Sequence, residues 1–173
     1  NRNAASTLRR GIAGSVPHYQ INDAKEACWA FEPTQAVNYC EAHDNNTLWD
    51  KLCISAKNDS EGVRIKMDKL AAAIVILSQG MPFIQLGQDF LRSKPRILKE
   101  GEAPNDVNIY SHDSYNAPDY TNSIKWNRKL EYKEVFEYYK ALIRLRKGSP
   151  LFRMYTKEDV NAHLHFMHND DWN

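Results

Sequence analysis

Neither sign of charge dominates this sequence, and no apolar run in it reaches the length of a membrane-spanning helix. Lys and Arg total 23 against 22 Asp and Glu, a formal charge of +1. A nucleic-acid binder shows a basic stripe. Here the basic clusters are Arg9-Arg10 and Arg144-Leu145-Arg146-Lys147, and the second suits the last turn of a helix, where cations complement the dipole. Neither a nucleic acid nor a membrane is an expected partner. Cysteine is also scarce. Cys28, Cys40 and Cys53 make a poor disulfide scaffold and lack metal-ligand spacing, so their use leans to a reducing, cytoplasmic compartment rather than a secreted one. No signal-peptide pattern is present, although the sequence opens at Asn1 rather than Met, which is compatible with a removed leader. Seven Gly and seven Pro among 173 residues exclude the collagenous and low-complexity classes.

What is present is globular: 42% apolar and 26% charged residues. The length is that of one ordinary domain, enough to bury roughly 70% of its extended surface. Residues 1–35 are polar and irregular, punctuated by Gly11, Gly14, Pro17 and Pro33. Val37 to His43 reads as a short strand whose mixed side chains suit an end opening onto a polar site. Thr47 is a helix N-cap signal with Asp50 three positions on, and Asn58 with Glu61 offers a second box. From Val63 to Ser78, Met67, Leu70, Ala73, Ile74 and Leu77 recur at helical spacing, Gly80 stops the helix, and Met81 to Leu86 follows as a short apolar strand. Helix, tight turn and buried strand in that order read as the αβ half of a β/α unit with a parallel sheet.

Residues 92–128 lack periodicity, but Tyr110, Tyr115, Tyr120 and Trp126 argue for an ordered, functional loop. A helix is predicted from Tyr132 to Arg146, with Val135, Tyr139, Leu142 and Leu145 on one stripe, ending at Gly148-Ser149-Pro150. Ala162, Leu164 and Phe166 alternate with His163, His165 and Met167 as in an antiparallel strand. Two β/α-type strands cannot close a parallel barrel, which needs eight. The pattern implies either a small different fold or a piece of a larger one.

One family carries long matches to these residues. The run Val37-Asn38-Tyr39-Cys40-Glu41-Ala42-His43-Asp44-Asn45-Asn46-Thr47-Leu48-Trp49-Asp50-Lys51-Leu52 resembles type I pullulanases of glycoside hydrolase family 13 around the family's fourth conserved region. The resemblance continues from Leu77 to Lys94, at Ser114-Tyr115-Asn116-Ala117-Pro118-Asp119 with Trp126, and from Phe152 to Phe166. Arg9 to Ser15 is similar to the Arg-rich, Gly-Ser segment leading into this region. The sequence departs at Asp89, where relatives often carry Glu, and at Cys40, where they carry a hydrophobic residue.

This resemblance implies an α/β fold, the C-terminal portion of a (β/α)8 barrel running into an antiparallel β domain. Residues 1–149 would belong to the barrel and 150–173 would begin the β domain. Val37 to His43 and Met81 to Leu86 would be the seventh and eighth strands, with the N-terminal part of the same barrel upstream. Met81 to Leu86 should then expose apolar side chains and unpaired edges. The implied partner is an α-glucan. Calcium accompanies several relatives, but no oxygen-ligand loop stands out, so the cofactor is not legible.

Retaining glycosidases use a nucleophilic carboxylate and an acid/base carboxyl about 5–5.5 Å apart. In the resembled family both lie on earlier strands. Asp23, Glu26, Glu32 and Glu41 do not occupy substitute positions. Asp44 would be the third carboxylate, gripping sugar hydroxyls and stabilising the oxocarbenium-like transition state, with His43 hydrogen-bonding the sugar. By composition alone His-Asp-Asn-Asn is a turn. Asn45 would shape the loop or contact sugar, and Asn46 would complete a turn before the Thr47 cap. Trp49 would stack on sugar or pack in the core. Tyr115, Asn116 and Asp119 are either subsite walls or parts of a packed loop, and Gln88 and Asp89 either orient that loop or face water. His163, His165 and His168 could suggest a metal, but their spacing fits an exposed strand face better. The other readings of the chain are a non-catalytic carbohydrate-binding fragment and another debranching or branching enzyme of the same family.

Overall fold

The computed structural model of the chain describes residues 2–21 and 28–167. In chain order the elements are α1 (Arg2–Ile12), β1 (Val37–Asn38), α2 (Leu48–Ser55), α3 (Glu61–Leu77), β2 (Met81–Pro82), the single turns α4 (Asp119–Asn122) and α5 (Arg128–Glu131), α6 (Lys133–Gly148) and α7 (Lys157–His163). The strands pair in parallel, Val37 opposite Met81 and Asn38 opposite Pro82. Met81 N–H donates to the Ala36 carbonyl and Phe83 N–H to that of Asn38, both at 2.8 Å. Two parallel strands joined through helices form the predicted β/α unit. Gly80, at φ +94°, makes the turn into β2. A Cβ there would lie 2.7 Å from the Ala36 carbonyl oxygen, so only glycine fits.

The residues divide into two compact units. One comprises Asn1–Asn38, Ile74–Phe83 and Ile143–Asn173, the other Tyr39–Ala73 and Ile84–Leu142. In the first, Ala13, Val16, Ile21, Ala30 and Val160 form an apolar cluster, with Cys28, Met154, Leu164 and Phe166 packed against it. Arg146 donates to the carbonyls of Ile76, Ser78 and Gly80, closing the otherwise unsatisfied end of α3. In the second, Trp49, Phe90, Leu91, Val135 and Tyr139 are buried among an unusual number of polar side chains.

Several sequence expectations need correction. The strand expected over Val37 to His43 ends at Asn38 because the following carbonyls bond side chains instead of a neighbouring strand. Cys40 O accepts from Lys51, Ala42 O from Gln85 and His43 O from Lys94. The strand expected over Met81 to Leu86 ends at Pro82, and Gln88 N–H turns back to the Gln85 carbonyl. Met81, Phe83 and Leu86 are exposed, as expected of this segment. Helix α3 exists, but its buried positions are Asp68, Ala72, Val75 and Ile76, while Leu70 is exposed. Hydrophobic spacing identified the helix and missed its inward face. Ser60, not Asn58, precedes α3, and its carbonyl and hydroxyl accept from Val63 N–H. On α6 the stripe of Val135, Tyr139 and Leu142 is buried, but Leu145 is exposed and Arg146 takes the inward place.

The alternating segment near Ala162 is not a strand. Thr156 caps α7 by accepting from Asp159 N–H at 3.1 Å, and Val160 is the side chain that α7 buries. Beyond it the chain is extended but bonded by side chains. Gln20 donates to the Phe166 carbonyl and accepts from its N–H, while the His18 ring bonds the Leu164 carbonyl. His163 therefore lies on a helix and His165 on an extended segment, where its ring bonds the Tyr19 hydroxyl. His168, Asn169, Asp170 and Asp171, like Asp23 and Glu26, lie outside the described residues.

Candidate active site

The segment that follows β1 is shaped by buried polar groups. Thr47 caps α2 through its hydroxyl, which accepts from Asp50 N–H at 3.1 Å. The Asp50 carboxylate turns away, accepting from Ser93 Oγ at 2.5 Å and Lys94 N–H at 2.8 Å. It is therefore a cap-turn residue whose side chain anchors a second segment, which a capping box does not predict. Glu41 is also buried. One of its carboxyl oxygens accepts from Leu48 N–H at 2.6 Å. The other accepts from the Gln85 amide at 3.1 Å, which also donates to Ala42 O at 2.8 Å and accepts from His43 N–H at 3.2 Å. Burial raises the Glu41 carboxyl to about 7, against the Leu48 N–H bond that favours its charged form.

These anchors deliver His43 and Asp44 to the surface. Their side chains are 87% and 77% exposed, with His43 Nε2 3.5 Å from Asp44 Oδ2. Asn45 follows at φ +61°, a left-handed conformation that Asn tolerates better than most residues. Together with Gln85, Arg92, Ser114, Tyr115 and Asn122 they line an open cavity of about 310 Å³. Arg92 is held by the Leu86 and Asn122 carbonyls, and the Asn122 amide by those of Ser114 and Ala117. Tyr115 is 95% exposed, an aromatic face with nothing packed on it. A hollow with one carboxylate, one imidazole, one guanidinium, two amides and a bare aromatic ring can grip a polyhydroxylated ligand. Hydroxyls meet the polar groups and an apolar ring face meets the tyrosine.

Of the residues singled out in the sequence, His43, Asp44 and Tyr115 meet at this cavity. Asn45 is not among the lining residues, and its carbonyl accepts from Lys94 Nζ. Asn116 and Asp119 are exposed but do not line it, and Asp119 opens α4. Trp49 is buried on α2, with its ring 6.1 Å from that of Tyr132 and beneath the Arg64 guanidinium. It packs in the core. Gln88 is buried and donates to Tyr139 Oη and Cys40 Sγ, so it serves the interior. Sequence reasoning missed Gln85, Arg92, Ser114 and Asn122. The available signal was Gln85, a polar residue inside an otherwise apolar run; Arg92, Ser114 and Asn122 sit in a loop without periodicity. Among the described residues no group of three or more His, Cys, Asp or Glu could hold a metal ion, and no helix is long and apolar enough to cross a membrane.

The described residues thus include a parallel β/α unit and an open polar cavity with one carboxylate in its lining. No family model matches the chain, but individual proteins do. It is 35% identical over 164 residues to the pullulanase of Bacillus subtilis (strain 168), covering 95% of this chain and 20% of that protein. It is 26% identical over 201 residues to the pullulanase of Klebsiella pneumoniae, covering 88% of this chain and 17% of that protein. Among solved structures, the pullulanase of Paenibacillus barengoltzii in complex with maltohexaose and α-cyclodextrin superposes with a TM-score of 0.79 at 37% identity, over 94% of this chain and 22% of that one. That of Anoxybacillus sp. LM18-11 gives 0.78 at 36%, over 98% and 21%. The chain belongs to the pullulanases, debranching enzymes of glycoside hydrolase family 13, and has the fold of part of their (β/α)8 catalytic domain. It spans about a fifth of the length of the curated relatives it matches.

Proposed function

We propose that this chain supplies the transition-state-stabilising carboxylate, Asp44, of a retaining glycoside hydrolase. The bonds cleaved are α-1,6-glucosidic branch linkages in pullulan, amylopectin or related dextrins. The cavity carries this reading, because Asp44 is the one carboxylate among the residues that line it. A retaining mechanism needs two carboxyls about 5–5.5 Å apart in addition. Glu41 has the raised proton affinity of a general acid, but it is buried with both oxygens engaged below the loop. The nucleophile and acid/base therefore come from barrel residues outside residues 1–173. Residues 1–149 belong to the barrel, and 150–173 lead into the β domain.

The division of labour follows from charge. As the glycosidic bond breaks, positive charge develops on the sugar ring, and an ionised carboxylate bonded to its hydroxyls strengthens those bonds at that moment. His43 adds a directed hydrogen bond, Tyr115 covers an apolar sugar face, and Arg92 and Asn122 complete the polar lining. The α-glucan substrate and the α-1,6 preference rest on the likeness to pullulanases, including those bound to maltohexaose and other maltooligosaccharides. In the full-length enzyme, Asp44→Asn should lower the release of reducing sugar from pullulan about 10³-fold. Near-normal turnover would remove Asp44 from the mechanism.

A further inference from the structure

Lys94 is 1% exposed, yet its ammonium has no buried carboxylate among its hydrogen-bond acceptors. Its three protons go to the His43 carbonyl at 3.0 Å, the Asn45 carbonyl, and Ser114 Oγ at 3.1 Å. Its own backbone is pinned as well. Its N–H donates to Asp50, and its carbonyl accepts from Ser111 N–H at 2.8 Å. Burying an ammonium against neutral acceptors is costly, and a hydrophobe of similar length would fill the space at lower cost. Burial and the Arg92 guanidinium accordingly depress the ammonium's proton affinity, while Asp50, Glu41 and Asp44 oppose them. The two carbonyls it holds belong to the residues on either side of Asp44. The third acceptor belongs to the neighbour of Tyr115. One buried cation thus closes the turn that presents the carboxylate and ties it to the aromatic wall of the same cavity.

We propose that Lys94 is the positioning residue of this site, setting the backbone of Asp44 through the His43 and Asn45 carbonyls and the register of Tyr115 through Ser114. The proposal rests on the role of Asp44 given above. A carboxylate displaced by about 1 Å from its working geometry loses on the order of 10² in rate, whereas ground-state sugar contacts spread over the cavity change little. In the full-length enzyme acting on pullulan, Lys94→Met should therefore lower kcat about 10²-fold and change KM less than about 3-fold. Lys94→Gln, which keeps a donor amide, should recover part of that loss. Ser114→Ala, which leaves both carbonyl bonds intact, should lower kcat only about 3-fold.

The deciding measurement is a double-mutant cycle. If Lys94 acts through Asp44, Lys94→Met costs nearly nothing further, within about 2-fold, in the Asp44→Asn background. Equal losses in both backgrounds, or a kcat within about 3-fold of the parent for Lys94→Met, would overturn the proposal. Should Lys94→Met not fold, unchanged kcat in both Lys94→Gln and Ser114→Ala overturns it instead. A near-normal Asp44→Asn enzyme is a separate result that sinks the reading of Asp44, and it is visible without any Lys94 variant.

Discussion

The segments around Ala13–Ile21, Ala30 and Val160 and the segments around Glu41–Asp50 and Gln85–Asn122 are held by opposite means. The former close on an apolar cluster of small and branched side chains. The latter close on buried Glu41, Asp50, Gln85, Gln88 and Lys94, whose partners are backbone groups and other polar side chains. Apolar contacts are non-directional and tolerate local shifts. Buried hydrogen bonds fail sharply when a partner moves, so they hold a loop in one geometry at an energetic cost. The polar network lies under the segment that carries Asp44. Directional anchoring is spent where a side chain must be aimed.

Breaking that contrast by the largest step means removing apolar volume from the first region. Val160 is fully buried, and Val160→Ala should cost about 2 kcal/mol of stability, seen as a lower thermal midpoint of the domain that carries it. Turnover at 25 °C should stay within a factor of about 2, because the loss is one of packing. A kcat loss as large as that expected of Lys94→Met would mean that the two regions do not divide the work in this way.

Asp68 tests the other half. Burial raises its carboxyl to about 7. Tyr139 Oη donates to one oxygen at 2.9 Å, while the other oxygen and the Gln88 amide oxygen are both without partners. A carboxyl whose folded pKa lies above its unfolded value holds a proton that unfolding releases. Its contribution is therefore most favourable at low pH and is lost as pH rises from the ordinary carboxylate range through about 7. Asp68→Asn keeps an acceptor for Tyr139 and removes the ionisation. It should gain on the order of 2 kcal/mol more at pH 8 than at pH 5, because pH 5 lies at the lower end of the window in which the contribution is lost. Chemical denaturation at the two pH values measures this, and a loss at pH 8 would show that the ionised form is needed.

The smallest expected effect sharpens the role of Asn45. Its left-handed backbone and its carbonyl are what the structure uses, so Asn45→Gly should keep kcat within about 2-fold, whereas Asn45→Val should destabilise by about 1 kcal/mol. A large activity loss in Asn45→Gly would give its side chain a direct part in binding sugar.

Much of this was readable one residue at a time. Thr47 announced α2, Gly80 the turn into β2, and Pro150 the end of α6. His43, Asp44 and Tyr115 could be picked out because their chemistry and their motif are local. Other features misled for a physical reason. The apolar spacing on α3 fits a helix whatever its rotation, and the inward face was taken instead by Asp68 with Ala72. Alternation from Ala162 to Met167 mimicked a strand, but the Thr156 cap and a single buried Val160 were enough to wind the first part into α7. Trp49 was as suited to a sugar as to a core, and only its burial against Tyr132 decided the matter.

By itself, the sequence determined the helix–turn–strand order from Thr47 to Met81, the caps and turns there, and the carboxylate-imidazole pair, because each depends on residues within a few positions of one another; it left α1 (Arg2–Ile12) as irregular and α7 as a strand. The tertiary structure alone decided which polar residues would be buried. Glu41 and Lys94 look like ordinary surface residues in sequence, and their burial comes from partners such as Gln85 for Glu41 and the His43 and Asn45 carbonyls for Lys94, which are distant in the chain. Lys94 reaches carbonyls 51 and 49 residues away. Hydrogen bonds between distant segments leave no periodic trace in the chain, so the support beneath Asp44 became visible only when those segments met.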